Sequence, residues 1–202
     1  MGFEYNSQRG IAYAREYALY SEIPEYNRLF FYDRSGNDCT NFCSQCVWAA
    51  YGGWLPAMDE KSVAENKERI KKTLCMVPYT WYGSLYFSGS NKWCRVVELG
   101  DYSLYPKVLG PQAIKVYEGS WQAFKPSWIK EGDVIQLVVA SYAAYRYGHC
   151  LYVTQAGISP DNILICCHSY DRRDTPLSEF TTNPVQYPKL RILRFQEANF
   201  MK

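Results

Sequence analysis

The stretch Asp38-Cys39-Thr40-Asn41-Phe42-Cys43-Ser44-Gln45 decides how this chain folds and where its chemistry sits. Ahead of it, Ser35-Gly36-Asn37 reads as a turn. Behind it, Cys39, Phe42, Cys43, Cys46, Val47 and Ala50 recur at offsets of three and four, the apolar stripe of a buried helix. Asn37 or Asp38 is placed to cap that helix by accepting hydrogen bonds from its first free N–H groups. Cys39 then falls in the first turn. The positive end of a helix favours an anion, so a thiol of free pKa about 8.5 is drawn towards thiolate there. Such a thiolate is an activated nucleophile. The plainer reading is a core helix that contains cysteine, because free cysteine is among the most buried residue types. Finding a base decides between them.

The chain holds two histidines, His149 and His168. Each lies on a β-branched and aromatic run: Gly148-His149-Cys150-Leu151-Tyr152-Val153-Thr154-Gln155 and Asn162-Ile163-Leu164-Ile165-Cys166-Cys167-His168. Between them, Ala156-Gly157-Ile158-Ser159-Pro160-Asp161 carries turn residues. A hairpin without a bulge sets Gln155 opposite Asn162, Leu151 opposite Cys166 and His149 opposite His168. Directly opposed residues share a face, with Cβ atoms roughly 4.5–5.5 Å apart. A one-residue slip breaks this pairing. A cysteine nucleophile needs an imidazole to take its proton, and the imidazole needs a polar group to fix its tautomer. Cys39, His149 and His168 supply nucleophile, base and orienter.

A zinc site is the competing use of the same residues. Its ligands would be Cys39, His149 and His168, or a set from Cys150, Cys166, Cys167 and His168. No C-x₂-C pair recurs with a second one, and Cys43-Ser44-Gln45-Cys46 lies inside the amphipathic helix, so no metal or cofactor is expected.

These residues resemble the putative amidase domain family, a branch of the papain-like hydrolases related to NlpC-type and CHAP-type cell-wall peptidases. The family's opening Tyr/Ala-rich helix and Asn-Tyr pair are loosely similar to Gly10 to Ala18 and Glu25-Tyr26-Asn27. Its Gly-x-Asp-Cys-Thr-Asn-Phe-x-Ser-Gln signature is met by Gly36, Asp38 to Phe42, Ser44 and Gln45. Mid-chain tryptophans look like Trp81 and Trp93, and a Gly-Asp-Val strand start looks like Gly132-Asp133-Val134-Ile135-Gln136. Gly148-His149, Val153-Thr154, His168, Asp171 and Leu177-Ser178 complete the match. The resemblance runs from about residue 5 to residue 180. Cys43 replaces an aliphatic residue, and the charged stretch Asp59 to Lys72 is longer than the family norm. The resemblance implies amide hydrolysis through an acyl-thioester on Cys39, with peptide or peptidoglycan-fragment substrates. It also implies an oxyanion hole at the Cys39 N–H, with Asp38, Tyr26 and Tyr32 as further candidates.

Composition narrows the remaining classes. The 202 residues, 48% hydrophobic, contain no linker, repeat or low-complexity run, so one domain spanning 1–202 is expected. A net charge of +2 without a basic stripe gives no footprint for nucleic acid. No stretch is long and apolar enough to span a membrane. The run Glu60-Lys61 to Lys71-Lys72, with Val63, Ile70 and Leu74 on one side, reads as a solvated surface helix. Among 19 Tyr, 6 Trp and 9 Phe, most are expected in the core, with Trp81 or Trp93 lining a groove. Eight cysteines are read as mostly free thiols, which suits a cytoplasmic chain as given. A cell-wall substrate requires a removed leader or another export route.

The expected architecture is α+β in the papain-like (NlpC-type) manner, with N-terminal helices packed on an antiparallel sheet. Helices are expected at 9–21, 39–51 and 60–74, and strands at 133–140, 148–155, 162–168 and 189–195. The leading function is a cysteine amidase or peptidase. An acyltransferase using the same thiol, and a non-catalytic cell-wall or peptide-binding module, are the alternatives. Sequence leaves the oligomeric state open.

Overall fold

The computed structural model describes residues 2–23, 29, 38–56, 59–84, 89–142 and 146–201. In chain order its elements are β1 (Gly2–Phe3), α1 (Ser7–Tyr17), α2 (Cys39–Ala50), α3 (Glu60–Lys71), α4 (Asn91–Cys94) and α5 (Val96–Leu104). They are followed by β2 (Ala113–Gly119), β3 (Val134–Val138), β4 (Tyr147–Gln155), β5 (Leu164–Cys167), β6 (Arg172–Pro176), α6 (Ser178–Thr181), β7 (Leu190–Phe195) and β8 (Ala198–Asn199). The fold is α+β. Six strands form one antiparallel sheet in the order β2-β7-β3-β4-β5-β6, and β1 pairs separately with β8.

Alternation along the strands sorts the sheet into two faces. Val134, Cys150, Tyr152, Cys166 and Leu193 join α1 and α2 in one apolar cluster. Ile135, Leu137, Leu151, Val153, Ile165, Cys167, Leu190 and Ile192 form the other, closed by Phe180 and Leu177 with Trp121 and Phe124 against it. The opposite orientation of Cys166 and Cys167 is the period-two rule of a strand.

The helix ends follow their caps. Asn6 accepts a hydrogen bond from the Arg9 N–H at 3.0 Å, so α1 starts at Ser7, two residues before the expected start. Asp59 accepts from the Ser62 N–H at 2.8 Å, and the positive φ of Thr73 (52°) follows the end of α3, short of the expected residue 74. Val63 and Ile70 of α3 are buried and its charges face out. Among the described residues, four strands (β1, β2, β6 and β8) and three helices (α4, α5 and α6) escaped the reading. Arg172-Arg173-Asp174-Thr175-Pro176 has no apolar alternation and ends in proline, as an edge strand can. β2 is the opposite edge, and α5 is a short helix of nine residues without a side-chain cap.

One close approach holds α1 onto both α2 and β4. A Cβ on Gly10 would lie 2.0 Å from the Tyr152 hydroxyl and 3.0 Å from the Cys46 carbonyl oxygen. Tyr152 cannot swing aside freely, because its hydroxyl is 2.9 Å from that of Tyr5, which donates to the Gly132 carbonyl at 2.8 Å. Alanine is the better helix former by about 1 kcal/mol. Gly10→Ala is nevertheless expected to destabilise the protein by about 1–3 kcal/mol through overpacking, measured by chemical denaturation. An equal or higher midpoint would show that α1 stands off from β4.

Candidate active site

All twelve residues of α2 are buried, the polar ones included. A helix buried all round must find internal partners for its polar side chains. Gln45 accepts from the Tyr13 hydroxyl at 2.6 Å, and Ser44 donates to the Trp93 carbonyl at 2.8 Å. Asn41 accepts from the Trp93 indole N–H at 2.7 Å and donates to Asp38 Oδ1 at 2.6 Å. The motif's polar letters are therefore the sockets that seat this helix. Trp93 is one of the groups seated there. Trp81 and Trp93 are both fully buried, with ring centroids 4.6 Å apart, so neither lines an open groove.

Asp38 is the N-cap residue of α2, but its side chain does not cap the helix. Its second oxygen, Oδ2, lies 2.8 Å from His168 Nδ1. The other ring nitrogen, Nε2, lies 2.8 Å from the carbonyl oxygen of Tyr17, the last residue of α1. A carbonyl only accepts, so Nε2 carries a proton; beside an ionised carboxylate Nδ1 carries one too. His168 is then an imidazolium, stacked on Phe42 with centroids 4.2 Å apart. Burial opposes this charge. The Asp38 hydrogen bond and charge, helped by the Tyr17 carbonyl and Asp171, nevertheless hold the pKa of His168 above its ordinary value. A cation at the carbonyl end of α1 also meets the negative end of that helix. The following turn tightens the grip: Ser169 Oγ accepts from the Asp38 N–H at 3.0 Å, and Asp171 accepts from the Tyr20 N–H at 3.2 Å.

The expected histidine pair is not formed. Tyr152 pairs with Cys166 and Val153 with Ile165, but Gln155 pairs with Leu164, so β4 carries an extra residue at Thr154. The Thr154 hydroxyl donates to Asp174 Oδ1 at 2.6 Å instead of continuing the alternation. Counting on from Tyr152 and Cys166, the partner position of His149 is Ser169, not His168. This one-residue shift puts the two histidines on opposite faces. His168 meets α1 and α2. His149 faces the cluster around Phe180, whose ring centroid is 5.8 Å away. His168 therefore does not orient His149, and no hydrogen bond to the His149 ring is made among the described residues.

Cys39 is buried in the apolar cluster of α1 and α2. Its thiol lies 3.8 Å from the Thr40 hydroxyl, and no hydrogen bond joins it to His149 among the described residues. The expected thiolate is not the resting form. Burial pushes the Cys39 thiol up to about 12, with neighbouring Cys150 and Asp38 adding to the rise against the Cys150 N–H and Thr40. Burial likewise pushes His149 down to about 4, and the Arg172 cation adds to this. Thiol and imidazole are both neutral at pH 7. Burial outweighs the helix dipole here because the dipole effect is about 0.3–1 kcal/mol at ordinary sites.

Arg172 is the neighbour that sequence reading missed. Its guanidinium lies 5.2 Å from the Phe180 ring, pairs with Glu179 at 3.1 Å and donates to the Tyr170 carbonyl at 3.0 Å. It follows His168 by four residues in a segment whose only signal was charge. Tyr26, Tyr32 and Asn37 lie outside the described residues. No cluster of three metal-ligating side chains is present among the described residues, and all eight cysteines are free thiols.

The His168–Asp38 pair has a testable pH signature. A histidine whose pKa is raised by folding contributes stability that is complete below its unfolded pKa of about 6.5 and is lost as pH rises through the folded value. His168→Gln leaves a buried carboxylate without its cation, a loss of about 3–5 kcal/mol. The gap in melting temperature between wild type and His168→Gln should be wide near pH 6 and narrow at alkaline pH. A gap that widens with pH would mean that His168 is buried neutral.

No curated protein and no solved structure matches the chain. A family model does: the one described as Putative amidase domain aligns with residues 4–189, a span that holds Asp38, Cys39, His149 and His168. By that match over nine-tenths of its length, the chain belongs to the putative amidase domain family.

Proposed function

We propose that this chain is one papain-like hydrolase domain that cleaves amide bonds with Cys39 as nucleophile and His149 as general base. The observation that carries this reading is the buried Cys39 thiol in the first turn of α2, a helix start that no side chain caps. Membership of an amidase family supports the reaction class. Because thiol and imidazole rest neutral, the proton moves during attack. Cys39 Sγ bonds to the carbonyl carbon as His149 takes the thiol proton, and the carbonyl oxygen becomes an oxyanion. First-turn N–H groups of α2 receive that oxyanion. The C–N bond then breaks, His149 protonates the leaving amine, and a thioester remains. Water attacks the thioester, its proton passing to His149 and on to the sulfur, which releases the acid and restores the thiol. An amine acceptor in place of water gives transfer instead of hydrolysis.

Peptides of the peptidoglycan type, and kinship with NlpC-type and CHAP-type peptidases, belong to this proposal through the motif resemblance. One observation favours a binding module instead: a thiol raised to about 12 is a weak nucleophile until a substrate changes its surroundings. Incubation with a peptide-amide library and a peptidoglycan digest, read by mass spectrometry, separates the two. Wild type should release an amine from a defined subset. Cys39→Ala and His149→Gln should each lower kcat/KM by about 10³-fold or more. Cleavage that survives Cys39→Ala would remove the nucleophile from the scheme.

The resting protonation state gives a second expectation. Alkylation of Cys39 by iodoacetamide, resolved from the other cysteines by peptide mapping, should climb steadily through the alkaline range. A fast phase persisting below about pH 6 would establish a thiolate–imidazolium pair instead.

A further inference from the structure

Asp38 presents a contradiction in its position. Aspartate at an N-cap ordinarily turns its carboxylate back onto the N–H groups of the first turn. Here the carboxylate makes no such bond, although it is the N-cap side chain of a twelve-residue helix. Its oxygens are taken instead, Oδ1 by Asn41 Nδ2 at 2.6 Å and Oδ2 by His168 Nδ1 at 2.8 Å. His168 is in turn fixed by the Tyr17 carbonyl at 2.8 Å and by stacking on Phe42. The Asp38 backbone is fixed as well, its N–H bound to Ser169 Oγ and its carbonyl accepting from the Phe42 N–H at 3.0 Å.

We propose that His168 is a positioning residue that holds the Asp38 carboxylate off the helix start, leaving the first-turn N–H groups of α2 open to the oxyanion and screening Asp38 from the Cys39 sulfur. The proposal rests on the amide-hydrolase reading for its oxyanion. Without His168, Asp38 has two ways to regain partners. It can fold onto the N–H groups, where it occupies the oxyanion position. Alternatively it stays in place as a negative charge that has lost the His168 cation, one residue from the sulfur. Either outcome works against attack by Cys39. The charged and titratable groups facing His168 are Asp38 from the start of α2 and Asp171 from the turn before β6. Asp171 is committed to the Tyr20 N–H, which leaves Asp38 as the side chain that His168 controls.

A double-variant cycle tests this. His168→Gln should lower kcat by about 10²-fold, as loss of an oxyanion donor does, while KM stays within about threefold. Asp38→Gly removes the carboxylate at little cost to the cap. The double variant Asp38→Gly/His168→Gln should therefore recover at least about tenfold in kcat over His168→Gln. A purely structural His168 gives the opposite result, a double variant no better than His168→Gln, and that overturns the proposal. Should His168→Gln fail to fold, Asp38→Gly is compared with the double variant. With the carboxylate gone, their kcat values should agree within about threefold, and a tenfold gap refutes the role. Iodoacetamide labelling of Cys39 at a fixed alkaline pH follows the same cycle without any substrate. It should slow in His168→Gln and recover in the double variant. If wild type cleaves no amide but the labelling cycle holds, the function reading fails and the positioning role stands. If labelling shows no coupling between Asp38 and His168, the positioning role fails.

Discussion

A helix with no exposed face is the constraint around which this molecule is built. All of α2 is buried, yet Asp38, Thr40, Asn41, Ser44 and Gln45 accompany its apolar residues. Each unpartnered polar group in such a place costs about 1–3 kcal/mol. The partners come from α1 (Tyr13), from α4 (Trp93) and from the end of β5 (His168). Three separate elements are thus placed by the side chains of one helix. Apolar packing alone would hold α2 in the core but would leave its rotation loosely specified. Directional bonds at 2.6–2.8 Å fix that rotation, and with it the direction in which Cys39 points.

The second determinant is a single inserted residue. Thr154 breaks the pairing of β4 with β5, and every residue beyond it in β4 is shifted by one against its neighbour. Without the bulge the two histidines would share a face. With it, His168 reaches the helices while His149 joins Phe180 and the charge of Arg172. The bulge is itself anchored, because Thr154 and Arg15 both bind Asp174, which ties β4, α1 and β6 together. A local irregularity anchored on three elements behaves as a designed feature of the sheet.

Much of this was legible in the sequence. The helix at Cys39, the surface helix after Asp59, the four hydrophobic strands and the α+β arrangement all follow from periodicity and turn residues, with ends displaced by a few residues. The apolar stripe correctly marked α2 as a core element. What periodicity cannot register is an extra residue inside a strand, because Val153-Thr154-Gln155 reads the same with or without a bulge. Nor can it register a cap that is present in sequence but diverted in space. Asp38 has the right identity for a cap, and only the position of His168, 130 residues away, decides otherwise. β6 carries charge where a strand usually carries apolar residues, since an edge strand has less to bury. Arg172 was hidden for the same reason.

The two histidines show how far environment outweighs residue type. Both are buried, and burial disfavours the charge on each of them. His168 overcomes it because a carboxylate and a carbonyl occupy both ring nitrogens, so its charge is fully paired. His149 meets an aromatic ring and a like charge, and stays neutral. A base must begin without its proton, and a clamp on a carboxylate must keep one. Under the proposed roles, the fold separates two tasks that a facing pair of histidines would have had to share. In the proposed reaction His149 is the base, and the opposite faces keep the His168 cation away from it. A second imidazolium beside His149 would depress its basicity beyond what Arg172 already does. The one-residue bulge therefore sets the register of β4 and also separates the surroundings of the two histidines.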